Sequence, residues 1–146
     1  MASIYPTEGL DYILGVIPKG GSNPGTLYLG LFTSQTASTV PANTAVLATA
    51  TGVTETAYTA YARQALTAAT WGALAAGTGN GRKTTYPQIT FPTVGASPGG
   101  NINGFFIASA ASAGICLYYA NFDDVTAITP ATNDIIRVTP TMEYRG

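Results

Sequence analysis

Alternating apolar and polar positions are clearest at the C-terminal end of the chain. From Ile135 to Arg145 the sequence reads IIRVTPTMEYR, and every second residue is apolar or proline. A period of two over this length predicts a β-strand with one buried face. Those positions are Ile136, Val138, Pro140, Met142 and Tyr144. Because Pro140 has no amide hydrogen to donate to a sheet, it indicates either an edge strand or a break into two strands.

A helical period occurs near the N-terminus. Thr7 is placed to cap the segment EGLDYILGVI, and Glu8 and Asp11 lie in or near its first turn, where the helix dipole favours negative charge. One face of this segment is apolar and consists of Leu10, Ile13, Leu14 and Ile17. Pro18 and two glycines end the pattern, so we predict one short helix over about residues 7–17.

The middle of the chain has the character of short strands and loops. TLYLGLFT, from Thr26 to Thr33, is apolar on both faces and predicts a well-covered strand. Residues 34–51 are rich in Ser, Thr, Ala and Pro without a period, which predicts a long surface loop. Thr and Tyr favour strands over Val53–Arg63 and Gln64–Trp71, although YARQALTAATWGALAA is also compatible with a helix.

A run without charge extends from Asn103 to Phe122 and has nearly the length of a membrane span. Its strongly apolar residues lie at the two ends, and its middle, ASAASAG, is small and weakly apolar. A membrane helix needs roughly twenty predominantly apolar residues, strongest at the centre of the bilayer. We therefore predict a buried hairpin of two strands, GFFIAS and ICLYYANF, joined by a turn through Ser112–Gly114, and no membrane contact.

These patterns together define the fold class. They give six to eight strands, one helix and no β-α-β alternation. We therefore predict a mainly β single domain over residues 1–146, an antiparallel β-sandwich or jelly roll with one short N-terminal helix.

The composition limits the classes of function that the chain can have. Charged residues make up 9 % of the chain, against about a quarter in typical domains, and the formal net charge is -1. The basic residues are scattered, so nucleic-acid binding is not expected. So low a content of charged residues indicates that part of the surface is covered by neighbours in an assembly.

The N-terminus lacks the basic start and the apolar core of a secretion signal, so no such signal is expected.

The residues available for catalysis are few. The chain has no histidine, which excludes the Ser-His-acid triad, His-ligated zinc and imidazole acid–base catalysis. Cys116 lies in an apolar run and is predicted to be a buried, inert thiol. A carboxylate glycosidase or a calcium site would have to use Asp123, Asp124 and Asp134, but adjacent strand residues face opposite sides and the spacing is not that of an EF-hand. Asp123 and Asp124 are read as a solvated turn, and we expect no enzyme activity, no metal and no cofactor.

Two other features are candidates for binding sites, a glycine-rich loop and a set of tyrosines. GTGNGRKT resembles a phosphate-binding loop, but Arg82 stands where that motif needs glycine before Lys83, so we predict a flexible loop tip with two charges. Four tyrosines are candidates either for stacking on sugars or for the core and subunit contacts, and the second interpretation is favoured: Tyr58, Tyr61, Tyr118 and Tyr119.

Four segments in order carry a resemblance to a known family. They are YPTEGLDYILGVI…TLYLGLFTS, YARQALTAATWG, INGFFIAS…LYYANFDD and NDIIRVTPTMEY, and they span Tyr5 to Tyr144. In this order they resemble small structural proteins of tailed bacteriophages, described as head-decoration (cement) or tail-associated proteins. The resemblance implies a β-sandwich or jelly-roll subunit, homotrimeric when it acts as a cement, with no catalytic residues.

The functional prediction follows from that resemblance. The main hypothesis is a capsid decoration protein, made in the host cytoplasm, that binds the outside of the phage head and stabilises contacts between major capsid protein subunits. The alternative is a tail- or fibre-associated protein that binds host glycans. Contacts are expected from chain ends and loop tips, namely the segment around Ile4 and Tyr5 or the loop carrying Arg82 and Lys83.

Overall fold

Within the described part of the chain, three antiparallel sheets and one short helix make up the fold. The computed structural model describes residues 3–16, 18–19, 21, 25–33, 47, 53–96, 100–122 and 127–144. The elements are β1 (Ser3–Ile4), α1 (Thr7–Val16), β2 (Thr26–Phe32), β3 (Gln64–Thr67), a 3₁₀ turn (Ala68–Thr70), β4 (Ala75–Ala76), β5 (Arg82–Thr85), β6 (Ile89–Thr90), β7 (Gly104–Ala108), β8 (Cys116–Asn121), β9 (Arg137–Val138) and β10 (Thr141–Tyr144). The predicted mainly β fold with one short N-terminal helix is confirmed, and it is consistent with a small β-sandwich domain.

The largest sheet has five strands in the order β1-β8-β7-β2-β3. A three-stranded sheet has the order β10-β5-β4, and β6 pairs with β9. The large sheet holds β2, β7 and β8 at its centre, where Leu31 pairs with Phe105 and Phe106 pairs with Tyr119. The charge-free run is therefore the middle of this sheet.

The predicted hairpin is confirmed as the buried centre of the protein. All residues of β7 and β8 are buried, and the turn between them includes Ala113 and Gly114 in left-handed conformations. Within the described ranges, the structure contains no helix long and apolar enough to cross a membrane.

Both faces of the large sheet are covered, which explains why its strands carry no charge. Alternate residues of β2, β7 and β8 point to opposite sides. One side holds Leu29, Leu31, Phe105, Ile107, Tyr118 and Ala120, in a cluster with Tyr86, Phe91, Val94, Ile136 and Val138. The other side holds Phe32, Phe106, Ala108, Cys116 and Tyr119, in a cluster with Leu47 and Val53. Full burial of each of these large apolar side chains contributes about 1.5–3 kcal/mol to the stability of the fold.

Two glycines in the central strands make room for aromatic rings. Gly30 pairs with Phe106, whose ring lies where a Cβ on Gly30 would be. Gly104 pairs with Phe32, and its missing Cβ would meet the Phe32 ring at 2.6 Å. In these two pairs a large residue on one strand is opposite a glycine on the other, and each ring occupies space that a side chain on the glycine would need.

The helix is rotated relative to the sequence expectation. α1 contacts β8 through Gly9, which is buried and whose Cβ would lie 2.8 Å from the carbonyl oxygen of Cys116. Leu10 and Leu14, expected on the packed face, are 42 % and 57 % exposed, while Ile13 is half-buried. Close approach of the two backbones at Gly9 sets this rotation. The helix bounds agree with the prediction, and residue 17 lies outside the described ranges.

The segment after the long loop is less regular than predicted. Val53–Arg63 was expected as a strand, but it forms a single bridge from Glu55 to Phe32 and turns at Thr59–Ala60, where Ala60 has φ 76°. The predicted strand Gln64–Trp71 is shorter and gives way to the 3₁₀ turn after Thr67. Of the predicted loop over residues 34–51, only Leu47 lies within the described ranges, and it is buried.

The C-terminal pattern divides at Pro140, as one of its two interpretations predicted. β9 ends at Val138 and β10 begins at Thr141. Ile136, Val138 and Pro140 are buried, whereas Tyr144 is mostly exposed, so the alternation holds up to the proline and weakens after it.

Replacing the two glycines Gly30 and Gly15 by alanine should have opposite effects. Gly30→Ala places a methyl group in the space of the Phe106 ring and should lower the free energy of unfolding by about 1–3 kcal/mol. Gly15→Ala meets no atom within 4 Å inside α1 and should raise it by about 0.5–1 kcal/mol. Denaturant unfolding of the two variants beside the wild type measures both, and equal midpoints would contradict the ring placement.

Candidate functional site

An open cleft of about 670 Å³ lies beside the β7–β8 turn. It is lined by residues 55–58 and 61–63 on one side and residues 111–113 on the other. Among these lining residues the charged ones are Glu55 and Arg63, and Tyr61 bonds to Glu55, so the bonding of these three side chains decides what the cleft can do.

Glu55 and Arg63 form a two-pronged ion pair. Arg63 Nε donates to Glu55 Oε1 at 2.8 Å and Arg63 Nη2 donates to Glu55 Oε2 at 2.7 Å. Tyr61 donates to the same Oε1 at 2.7 Å and accepts the amide hydrogen of Leu31 at 2.9 Å. The carboxylate therefore has three donors, and Tyr61 links the pair to β2.

Arg63 also holds the hairpin turn. Its Nη1 donates to the carbonyl oxygens of Ala110 and Ala113, both at 2.8 Å. Its guanidinium lies 5.0 Å from the centre of the Phe106 ring, and its side chain is only 4 % exposed. A buried cation needs a paired anion and satisfied donors, and this one has both. The group is a structural clamp.

The titration of these groups agrees with that role. Burial first, and then the charge of Glu55, raises the pKa of Tyr61 well above its usual value, so its hydroxyl stays protonated. Burial alone would lower the pKa of Arg63, but its hydrogen bond and its charge pairing with Glu55 raise it. Neither group is poised near neutral pH, and among the described lining residues the one carboxylate, Glu55, is bonded to Arg63 and Tyr61.

Cys116 is buried, as predicted. Burial raises the pKa of its thiol from 9.0 to about 12, although hydrogen bonding with Tyr119 and Tyr118 acts in the opposite direction. The thiol is therefore protonated and unreactive at neutral pH.

The four candidate tyrosines belong to the core, as the favoured interpretation had it. Tyr58, Tyr118 and Tyr119 are buried, and Tyr58 donates to the carbonyl oxygen of Pro92 at 3.0 Å. Tyr61 is half-buried and stacks on Phe91 with ring centroids 6.1 Å apart. Tyr118 and Tyr119 therefore offer no exposed platform for a sugar. Tyr58 and Tyr61 line the cleft but pack against each other, and Tyr61 also packs on Phe91.

The N-terminal contact candidates lie at the edge of the large sheet. β1 pairs with β8, and Ile4 is opposite Tyr119. The ring of Tyr5 packs edge-on against Tyr118 at 5.1 Å and against Tyr144 at 6.1 Å. Burial, followed by the nearby Tyr118, Glu143 and Tyr144, raises the pKa of Tyr5 to about 12. Tyr5 thus fixes the chain end to the sheet.

Arg82 and Lys83 do not lie at the tip of a loop, contrary to the expectation. They open β5, the central strand of the three-stranded sheet, and the tip consists of Thr78–Asn80. Adjacent strand residues point to opposite faces, so the two exposed cations do not form one basic patch. Their role in external contacts stays a prediction, as does that of Ile4 and Tyr5.

The structure brings two of the four candidates close together through a residue that was not singled out. Arg82 is the register partner of Tyr144, and Tyr144 packs on Tyr5. Tyr144 is 61 % exposed. The one hint in the sequence was that Tyr144 ends the alternating C-terminal segment. The alternation assigns Tyr144 to the buried face, but it does not show that other residues stop covering this face before Tyr144.

The glycine-rich loop is bound by the chain's own carboxylate. Glu143 Oε1 accepts the amide hydrogen of Thr78, and Gly77 donates to the carbonyl oxygen of Gly81 at 2.9 Å. A Cβ on Gly77 would lie 2.8 Å from that Glu143 oxygen. The loop amide is therefore already occupied by an anion, and the loop is held in place by β10.

Of the three carboxylates considered as a metal site, only Asp134 lies within the described residues. Asp134 accepts the amide hydrogen of Ala131 at 2.7 Å and closes a turn. Asp123 and Asp124 lie outside the described residues, so the solvated-turn and calcium hypotheses there stay untested. Among the residues that are described, no three of the acid, cysteine or histidine type cluster as metal ligands do.

The sequence patterns did not lead us to predict the Glu55–Arg63 ion pair, although the sequence contains an indication of it. These are the only two charged residues between Lys19 and Arg82. In a chain so poor in charge, an isolated acid and base of opposite sign indicate a buried pair.

Breaking the Glu55–Arg63 pair should destabilise the fold strongly. Glu55→Gln leaves a buried cation unpaired, and Arg63→Met removes the donors to the hairpin turn, so each should cost about 2–5 kcal/mol of unfolding free energy. The double variant should cost less than the sum of the two. Lys83→Met, which removes an exposed charge, is the control and should change stability by less than about 0.5 kcal/mol. Additive effects in denaturant unfolding would contradict direct coupling.

The buried thiol should make stability depend on alkaline pH. Between about pH 9 and about 12 the unfolded chain loses a thiol proton that the folded chain keeps, so the free energy of unfolding falls as pH rises. The decline should be shallower in Cys116→Ala than in the wild type, measured as the slope of unfolding free energy against pH. Thiol reagents at about pH 8 should modify Cys116 only after denaturation, and rapid labelling of the folded chain would contradict the burial.

Comparison with known proteins places the chain in a family. A search of curated proteins finds no match. The family model described as Podophage GP4 fiber I protein gp80 matches residues 10–141, which is most of the chain. The match runs from α1 through every sheet to the start of β10. The chain belongs to the family of Podophage GP4 fiber I protein gp80, and it is a bacteriophage structural protein.

Proposed function

We propose that this protein is a non-enzymatic structural component of the phage fibre apparatus. The single observation that carries the proposal is the family match over residues 10–141, whose description is a fibre protein. It favours the tail- or fibre-associated alternative over the main hypothesis of a decoration protein on the outside of the head. Homotrimerisation and binding to the major capsid protein rested on the head hypothesis and stay predictions.

The structure is suited to a part that must keep its shape. Both faces of the large sheet are buried, so the central strands are fixed from two sides. Arg63 ties the hairpin turn to the segment before β3, and Glu143 ties the glycine-rich loop to β10. The described residues hold this arrangement by packing and hydrogen bonds, and the single cysteine rules out an internal disulfide.

The chemistry of the cleft supports a structural role over a catalytic one. Its carboxylate is fully engaged by Arg63 and Tyr61, and the tyrosine hydroxyl is kept protonated by its surroundings. A hydrolase would need two carboxyl groups facing one substrate, with one free to accept a proton. Among the described residues, Glu55 is the only acid that lines the cleft.

Locating the chain in purified virions tests the proposal. Cryo-electron microscopy combined with antibody labelling should place the chain in the tail and fibre region, at an abundance far below that of the major capsid protein on a stained gel. Density over the head lattice at an abundance close to that of the major capsid protein would overturn the proposal. So would the absence of the chain from virions.

A further inference from the structure

The outer side of α1 presents leucines to solvent. Leu10 and Leu14 are one turn apart and face the same way, with Asp11 beside them. α1 meets its own subunit through the opposite side, at Gly9. An apolar stripe that its own core does not use is typical of a helix that binds a partner. We call Leu10, Asp11 and Leu14 the helix face.

A second exposed surface lies on the three-stranded sheet. Ala76, Arg82 and Tyr144 are register partners on neighbouring strands, so their side chains lie on one face. Leu74 is 67 % exposed, and its carbonyl oxygen accepts a long hydrogen bond of 3.4 Å from Arg82 Nη2, which places it beside the same cation. We call Leu74, Ala76, Arg82 and Tyr144 the sheet face.

The two faces are complementary in charge and in apolar character. The helix face has an acid between two leucines, and the sheet face has a base between a leucine and a tyrosine. Within the described part of the chain, neither Asp11 nor Arg82 has an ion-pair partner of its own. Tyrosine and arginine are the residue types most enriched where proteins bind each other.

We propose that the helix face of one copy binds the sheet face of a second copy, with Asp11 paired to Arg82. Leu10 and Leu14 would then cover Leu74 and Tyr144, the two most exposed large apolar side chains of the sheet face. A second copy is the partner we commit to because one chain carries both halves of the contact. Such a contact joins two different surfaces, so successive copies close into a ring or continue as a filament.

The neighbouring cation provides a matched control. Lys83 follows Arg82 in β5, is also exposed and carries the same charge, but it points to the other face of the sheet. A contact that depended on overall charge would respond to both residues. A contact through the sheet face responds to Arg82 alone.

Sedimentation velocity over a concentration series tests the contact on the purified full chain. The wild type should associate reversibly, and Asp11→Arg or Arg82→Asp should each weaken association by about tenfold or more, because each places like charges opposite each other. The double variant Asp11→Arg/Arg82→Asp restores an opposite pair and should recover most of the association. Lys83→Asp should associate as the wild type does, and circular dichroism of every variant checks that the fold is kept.

Three results would overturn the proposal. One is a wild-type chain that stays monomeric at about 100 µM, a concentration at which even a weak specific contact is populated. The others are single variants that associate as the wild type does, and a double variant no better than the singles. The proposal rests on the proposed function only for its setting in a virion assembly. A monomeric chain found in the fibre would overturn this contact and leave the proposed function standing.

Discussion

The guanidinium of Arg63 joins two parts of the chain that lie 47 to 50 residues apart in sequence. It pairs with Glu55 in the segment that bridges to β2, binds two carbonyl oxygens of the β7–β8 turn and lies over the ring of Phe106. That ring in turn covers Gly30 on β2. A cation buried in this way is tolerated only if its partners stay in place. The irregular segment before β3 and the tip of the central hairpin are therefore held in one relative position.

The N-terminal helix is fixed by a similar device. Leu117 is the extra residue of a β-bulge in β8, opposite Ile107 and Ala108. Glu8 accepts the amide hydrogen of Cys116 at 2.8 Å next to that bulge, and Gly9 allows the helix backbone to lie against the strand. The helix therefore meets the sheet through a carboxylate and a missing side chain. Leu10 and Leu14 therefore do not pack in the core and are exposed for contact with a neighbouring molecule.

These features together describe a subunit that is rigid inside and adhesive outside. Charged side chains are scarce, and the described ion pair serves the interior. Four of the five exposed large apolar residues in the described ranges lie on α1 or at the three-stranded sheet, and the fifth, Ile135, lies just before β9. None of the five lines the cleft beside Arg63. This division between interior and surface agrees with the proposal of a structural component that binds other proteins.

Elements that are apolar on both faces, and elements that alternate strictly between apolar and polar residues, could be predicted from the sequence. The central hairpin, the strand β2, the break at Pro140 and the buried Cys116 were all predictable, because burial of such residues leaves few alternatives. The tertiary structure decided what depends on contacts between distant residues. A repeating pattern shows which residues share a face, but not what covers that face. The rotation of α1 follows from Gly9 meeting β8, the irregular path of Val53–Arg63 follows from the bonds of Tyr61 and Arg63, and the placement of Arg82 beside Tyr144 follows from the pairing of β5 with β10.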